Sequence, residues 1–351
     1  MLSLNRPDLP PPPEGKTGWP WTCEDACTPD LVTAPLPRIS IVTPSFNQGQ
    51  FIEETIRSVL MQGYPDLEYI VIDGGSTDAT LDILKKYGRF ICWISEPDKG
   101  QTDAINKGLH LATGEIVAYL NSDDIYEPGT LRRIADLFSQ SKDIAMIYGD
   151  IIHIDEASRF IEFHKTGEVN IRKYLMAGDF YLPQPSVFFL REVIDTIGYF
   201  DEKLHLAMDY DYWLKIIMKY KTRYEHFTFS RARIYPAAKS SSLDYKYFDE
   251  LLGIYQSLFA QYPELEPLRN DVFGYVYFVG ALTFMRRHYF GKAIKNFRIA
   301  VAIDPRYLVH PYLYWGFIEL CIGEKNARKL RPRLKKILGI IVPAGSYNII
   351  H

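Results

Sequence analysis

The sequence predicts an α/β fold, with a mostly parallel sheet covered by helices on both faces and an α-helical C-terminal appendage. Three observations predict it. From Arg38 to Asp150, short β-branched apolar runs alternate with stretches whose apolar residues share one helical face. Beyond Asp150 that alternation stops, and from Lys246 onward the pattern is helical throughout. Alternation of strand and helix specifies parallel strands whose crossovers lie over the sheet. With 351 residues the chain is larger than a single core usually supports, so two or more packed units are expected. A hydrophobic fraction of 47% and a charged fraction of 24% are ordinary for globular proteins and exclude a largely disordered or fibrous chain.

Residues 1–37 form a proline-rich arm, with Pro10 to Pro13 consecutive, so this part is expected to be extended. Trp19 and Trp21 of its GWPW segment are expected to plug a groove on the main domain. Ile39 to Val42 then reads as a strand, and Phe51, Ile52, Ile56, Val59 and Leu60 mark one stripe of a helix. The unit recurs with strand Tyr69 to Ile72 and helix Leu81 to Tyr87, then strand Phe90 to Ile94 and helix Ala104 to Leu111. Strand Ile116 to Leu120, helix Leu131 to Phe138 and strand Ile144 to Tyr148 complete an α/β half over residues 38–150. Residues 151–245 read as a second half that mixes short strands with a helix at Tyr210 to Tyr220. Residues 246–351 form the helical region, in which Gly280 to Pro305 resembles a single tetratricopeptide helix hairpin. One copy is too few for an independent repeat array, so a docked appendage is expected.

Composition narrows the function. A formal charge of -3 with mixed signs gives no field for polyanions, so nucleic acid is excluded as a partner. The basic run Arg328 to Lys336 reads first as a solvated helix face, and second as a peripheral contact of the tail with a membrane or a protein. Four scattered cysteines and the lack of a signal-peptide pattern favour a cytoplasmic setting, peripheral at most to the inner face of the membrane. Cys23 and Cys27 have metal-like spacing but no second pair to complete a zinc site. No apolar run approaches the roughly 18 to 20 residues needed to span a bilayer.

In open α/β sheets ligands bind beyond the carboxyl ends of the strands. The residues there are Pro44, Ser45, Phe46 and Asn47, then Asp73, Gly74 and Gly75, then Glu96, Asp98 and Lys99, and finally Asn121, Ser122, Asp123 and Asp124. Carboxylates crowded at one edge repel each other unless a cation sits among them, and oxygen ligands point to Mn²⁺ or Mg²⁺. Such ions bind through one or two carboxylates plus substrate phosphates, which points to a nucleoside diphosphate. No Walker loop and no G-x-G-x-x-G follows the first strand, so ATPase and nicotinamide chemistry are disfavoured.

The segments ISIVTPSFNQGQFIEETIRSVLMQGYPDLEYIVIDGGSTDATLDIL and EPDKGQTDAINKGLHLATGEIVAYLNSDDIYEPG resemble the family 2 glycosyltransferases, over about Arg38 to Lys239. The resemblance implies a GT-A fold and an inverting sugar transfer from a nucleotide-diphosphate sugar, UDP-, GDP- or dTDP-linked. The implied acceptor is a saccharide or lipid-linked hydroxyl in surface polysaccharide or glycoconjugate synthesis. It implies that Pro44, Ser45 and Asn47 wall the nucleotide pocket, that Asp73 binds base or ribose, and that Asp98 and Gln101 reach the nucleotide. The family's D-x-D signature corresponds to Asn121, Ser122 and Asp123, with Asp123 the metal ligand and Asn121 and Ser122 on the donor.

In HLAMDYDYWLK, Asp209 stands at the position of the catalytic base, with Met208 replacing the family's Glu and Asp211 read as structural. Gln184 in LPQPSVFFL would border the acceptor, and Tyr235 stands where a metal-binding His is frequent but, without a defined partner, is read as mainly structural. Two other readings share these residues. A nucleotidyltransferase would need a basic, glycine-rich phosphate loop near the first strand, which is absent. A degenerate sugar-nucleotide-binding scaffold is the alternative that the departures at Asn121, Met208 and Tyr235 leave open.

Overall fold

The structure, a computed structural model, describes residues 9–22, 36–177, 182–238, 245–323 and 326. Cys23, Cys27 and the basic run from Arg328 lie outside the described residues. The chain divides into two compact units, one formed by Met1–Val169 and Tyr181–Ala238, the other by Asn170–Phe180 and Lys239–His351.

The first unit is built on a single sheet. Its strands are β1 (Ile39–Ser45), β2 (Leu67–Asp73), β3 (Cys92–Ser95), β4 (Ile116–Tyr119), β5 (Ile125–Tyr126), β6 (Ile144–Ile154), β7 (Phe160–His164), β8 (Val187–Leu190) and β9 (Lys221–Arg233). The order is β3-β2-β1-β4-β8-β6-β9-β5, with β7 pairing β6 to one side. The first four strands run parallel, as the alternating pattern predicts. From β8 the sheet becomes mixed: β8 is antiparallel to both β4 and β6, and β6 and β9 are parallel. Its helices are α1 (Ile52–Leu60), α2 (Thr80–Tyr87), α3 (Gln101–Leu111), α4 (Thr130–Gln140), α6 (Glu192–Ile197) and α7 (Met208–Lys219).

The core explains the register. All seven residues of β1 are buried, including Ile39, Ile41 and Val42, because this strand is covered on both faces. Helix α3 approaches β1 so closely that a Cβ on Gly108 would stand 2.3 Å from Val42 Cγ1, so only glycine fits there. Glu68 of β2 joins three segments at the other end: it accepts hydrogen bonds from Ser40 Oγ (2.5 Å), the Thr113 backbone N–H (2.7 Å) and Arg38 (3.1 Å).

The arm is part of this unit. Arg57 of α1 donates to the carbonyls of Pro10 (2.8 Å) and Trp21 (2.8 Å), while the Trp19 indole N–H donates to the Tyr126 carbonyl at 2.7 Å. Trp21 is buried, with the Arg57 guanidinium 5.6 Å from its ring.

The second unit is helical: α5 (Ile171–Ala177), α8 (Tyr245–Gln261), α9 (Arg269–Arg286), α10 (Phe290–Ile303) and α11 (Pro311–Ile322). Helices α9 and α10 meet at a tight turn whose His288 has a φ of 62, and they pack as an antiparallel pair through Phe278 and Phe297. Among the described residues no helix is long and apolar enough to cross a membrane.

Candidate active site

The loops that follow the parallel strands lie at their carboxyl ends, and hydrogen bonds bring Gln184, Asp209 and Tyr235 to them. The loops after β1 and β2 are laced together by backbone donors. Gly74 N–H donates to the Ser45 carbonyl at 2.8 Å, Asn47 N–H to Ser76 Oγ at 2.7 Å, and Thr77 N–H to Asn47 Oδ1 at 2.9 Å. Asn47 adopts a φ of 51, a left-handed conformation that Asn tolerates better than most residues. Pro44 and Ser45 are the buried last residues of β1, and Phe46 beside them is 60% exposed.

Asp73 is fully buried and spends its carboxylate on this scaffold. It accepts from the N–H groups of Gly75 (3.1 Å) and Ser76 (2.9 Å), and from the hydroxyls of Ser76 (2.5 Å) and Ser95 (2.6 Å). As placed, it shapes the loop and has no free face toward a ligand. Asp98 accepts from Gly100 N–H at 2.8 Å and lies against Gly74, where a Cβ would meet Asp98 Oδ2 at 2.5 Å. A side chain at 74 would have to displace the Asp98 carboxylate.

An amide chain runs across the mouth. Gln101 Nε2 donates to Asn121 Oδ1 (2.7 Å), Asn121 Nδ2 donates to Gln184 Oε1 (3.0 Å), and Gln184 Nε2 donates to the Tyr119 carbonyl (2.7 Å). Tyr119 is buried at the end of β4, and its hydroxyl donates to Asp209 Oδ1. Asp209 itself is half-buried in the first turn of α7. That turn is anchored by Thr102 of α3, whose hydroxyl lies 2.7 Å from Met208 Sδ. Asp211 forms an ion pair with Lys215 at 2.6 Å one turn on, a partner within its own helix.

Asp123 and Asp124 sit between β4 and β5. Burial raises the pKa of Asp123 above the ordinary carboxylate value, against the pull of a hydrogen bond from Tyr235. Burial, and then the neighbouring charge of Asp123, raises Asp124 well above it. Asp124 Oδ1 accepts from Arg233 N–H at 2.9 Å, and Asp123 Oδ2 accepts from the Tyr235 hydroxyl at 2.9 Å. The buried Arg233 guanidinium donates to the carbonyls of Asp123 (2.9 Å) and Asp155 (2.9 Å) and pairs with Glu54 at 3.1 Å. Ser122 is buried beneath, its carbonyl accepting from Thr55 Oγ1 at 2.9 Å.

The acidic loops therefore do not converge as their crowding in the sequence suggests. Among the described residues no three His, Cys, Asp or Glu side chains come together at one point. Backbone donors and Arg233 satisfy Asp73, Asp98 and Asp124 separately, so a shared cation is not needed to hold them near each other. The donor set at Asp123, one carboxylate beside a phenol, fits a divalent cation that brings its remaining oxygen ligands with it, from a diphosphate and water.

Residues 40–198 match the family model described as glycosyl transferase family 2. They form a family 2 glycosyltransferase domain. The chain is 28% identical over 218 residues to an uncharacterized glycosyltransferase of Rickettsia typhi, covering 59% of this chain and 67% of the relative. It is 29% identical over 197 residues to a PGL/p-HBAD biosynthesis glycosyltransferase of Mycobacterium tuberculosis, covering 54% and 74%. Two solved structures share the fold. One is S. aureus TarS 1-349 in complex with UDP-GlcNAc, with a TM-score of 0.53, 19% identity and coverage of 77% of this chain and 91% of that one. The other is the mannosyltransferase PcManGT from Pyrobaculum calidifontis in complex with GDP-Man and Mn²⁺, with a TM-score of 0.55, 16% identity and coverage of 87% and 88%. The fold is GT-A, with the helical region following it.

The family 2 match ends at residue 198, short of Asp209, Arg233 and Tyr235. Sequence reading missed Tyr119, Arg233 and Thr102 and read Tyr235 as structural. The available signal for Tyr119 was its place just before the Asn121–Asp123 signature. For Arg233 and Tyr235, only the return of β9 beside β5 brings them to the acids.

Proposed function

We propose that this chain transfers a sugar, with inversion, from a nucleoside-diphosphate donor to a hydroxyl of a saccharide or lipid-linked acceptor, in surface polysaccharide or glycoconjugate synthesis. The observation that carries the proposal is the hydrogen-bonded path from Gln101 through Asn121, Gln184 and Tyr119 to Asp209, which spans the carboxyl edge from the donor side to a positioned carboxylate.

Asp209 is the base. A sugar hydroxyl is a weak nucleophile until its proton leaves, and Asp209 Oδ accepts that proton as the oxygen attacks the anomeric carbon opposite the diphosphate. Tyr119 fixes the carboxylate by donating to one oxygen. Gln184, held by Tyr119 and Asn121, borders the acceptor. On the donor side Pro44, Ser45 and Asn47 wall the nucleotide, and the exposed ring of Phe46 offers a face for stacking a base. Asp73 holds the loop after β2, beside the one from which Asp98 and Gln101 reach the nucleotide, with Asn121 and Ser122 lying under the ribose. Asp123 would hold a divalent cation, Mn²⁺ or Mg²⁺, which would neutralise charge on the departing diphosphate. The fit at Asp123 and the Mn²⁺ named with the mannosyltransferase neighbour support this last assignment.

The test compares wild type with Asp209→Asn across UDP-, GDP- and dTDP-sugars, measuring transfer and slow donor hydrolysis. Loss of about 10²- to 10⁴-fold in turnover with an unchanged melting temperature is expected. Equal inertness of both proteins across the panel would favour a degenerate binding scaffold. The donor that serves should also raise the melting temperature of wild type and of Asp209→Asn alike, and raise it further with Mn²⁺.

A further inference from the structure

Helix α1 buries polar side chains where apolar ones would be ordinary. Thr55 and Ser58 of α1, and Gln62 just beyond its end, recur at spacings of three and four along the chain, and all of them are buried. A buried polar side chain costs free energy unless it is hydrogen-bonded, so its partners indicate what it holds. Here the partners are backbone groups of the segment between β4 and α4. The Thr55 hydroxyl lies 2.9 Å from the Ser122 carbonyl and 2.8 Å from the Asp124 carbonyl, one donor shared by both. Ser58 Oγ accepts from Tyr126 N–H at 3.1 Å, and Gln62 Nε2 donates to the Glu127 carbonyl at 2.9 Å. The carbonyl between the two that Thr55 holds, that of Asp123, accepts from Arg233 Nε at 2.9 Å. Consecutive carbonyls on both sides of Asp123 and at Asp123 itself are thus fixed, and what the residue can still vary is the rotation of its own side chain.

We propose that Thr55 is a positioning residue for Asp123: its buried hydroxyl sets the backbone from which Asp123 presents its carboxylate to a divalent cation on the donor diphosphate. The inference rests on the assignment of that cation to Asp123 under the proposed function. Such cations accept oxygen ligands only at short, narrowly defined distances, so a shift of the backbone beneath a ligand weakens the site almost as losing the ligand does. A residue that merely filled the core at position 55 could be Val, which has the same shape. Val would leave the Ser122 and Asp124 carbonyls without their donor, and the loop would have to move to find another.

The test uses the full chain in titration calorimetry with UDP, GDP and dTDP, each with and without Mn²⁺. The ratio of the two affinities measures what the cation contributes. For the nucleotide that binds, Thr55→Val should lower this ratio about tenfold while affinity without Mn²⁺ stays within about twofold of wild type. Thr55→Ala should do the same with no methyl pair to crowd the carbonyls, and Thr55→Ser, which keeps the donor, should restore most of the ratio. Asp123→Ala should abolish the Mn²⁺ enhancement, and Glu68→Gln, at the amino end of β2, should leave it at the wild-type value. A wild-type ratio in Thr55→Val and Thr55→Ala, or a loss equal with and without Mn²⁺, would overturn the proposal while Asp123→Ala still loses the enhancement. Enhancement retained by Asp123→Ala, or absent from wild type with every nucleotide, would overturn the cation assignment and the role of Thr55 with it.

Discussion

Tyr119 and Asp209 are 90 positions apart in the chain, yet the hydroxyl of one donates to the carboxylate of the other. The pairing makes Tyr119 a positioning residue for the proposed base. Tyr119→Phe keeps the ring that meets Phe200 edge-on at 5.6 Å and removes only the hydroxyl. A carboxylate freed to turn away from the attacking oxygen costs about ten- to a hundredfold in kcat, with KM for the donor unchanged. Steady-state kinetics with donor and acceptor varied separately measures this split, and a wild-type kcat would remove Tyr119 from the mechanism. Tyr235 teaches a complementary lesson. Read in sequence it is a packed aromatic, and it does pack on Phe51 at 5.1 Å, but its hydroxyl also reaches Asp123. Which of these a tyrosine does depends on what lies opposite it, and opposition is a property of the folded chain.

At the scale of elements, the strands and helices between β1 and α4 were legible because each has a periodic apolar pattern and a buried face. The observed ends differ from the expected ones by a few residues, mostly by extension: β1 continues to Ser45 and α3 begins at Gln101. Strands β5, β7, β8 and β9 were not placed by pattern. β5 is two residues long, and β9 mixes polar and aromatic residues along thirteen because it pairs with β6 and β5 at the edge of the sheet. Where elements meet, Glu68 offers a measurement. Burial works against its charge, but hydrogen bonds from Ser40 and Thr113, with the charge of Arg38, leave its pKa below the ordinary 4.5. An acid whose pKa is lowered on folding contributes stability that is full above about 4.5 and is lost as pH falls through the folded-state value. Glu68→Gln should therefore cost about 1 to 3 kcal/mol at pH 7, and the difference should shrink toward pH 3. Denaturant titrations at the two pH values test it; a difference independent of pH would assign the loss to packing alone.

For the molecule as a whole, the arm is the part whose importance composition hides. A proline-rich start reads as an attachment, but Arg57 reaches back to Pro10 and Trp21, so the arm completes the cover over α1. Trp21→Ala should lower stability by about 3 kcal/mol in chemical denaturation, as expected when a buried aromatic leaves a cavity. A variant as stable as wild type would make the arm dispensable. Arg233 extends the same point to the site. Its guanidinium binds the carbonyls of Asp123, Asp155 and Glu156 and the Ser158 hydroxyl, so the turn between β6 and β7 is tied to the acidic loop through one buried cation. Anyone grafting loops onto this scaffold inherits that tie: the β6–β7 turn looks like a free insertion point on the surface, but altering it would also retune the carboxylate proposed to carry the donor's metal.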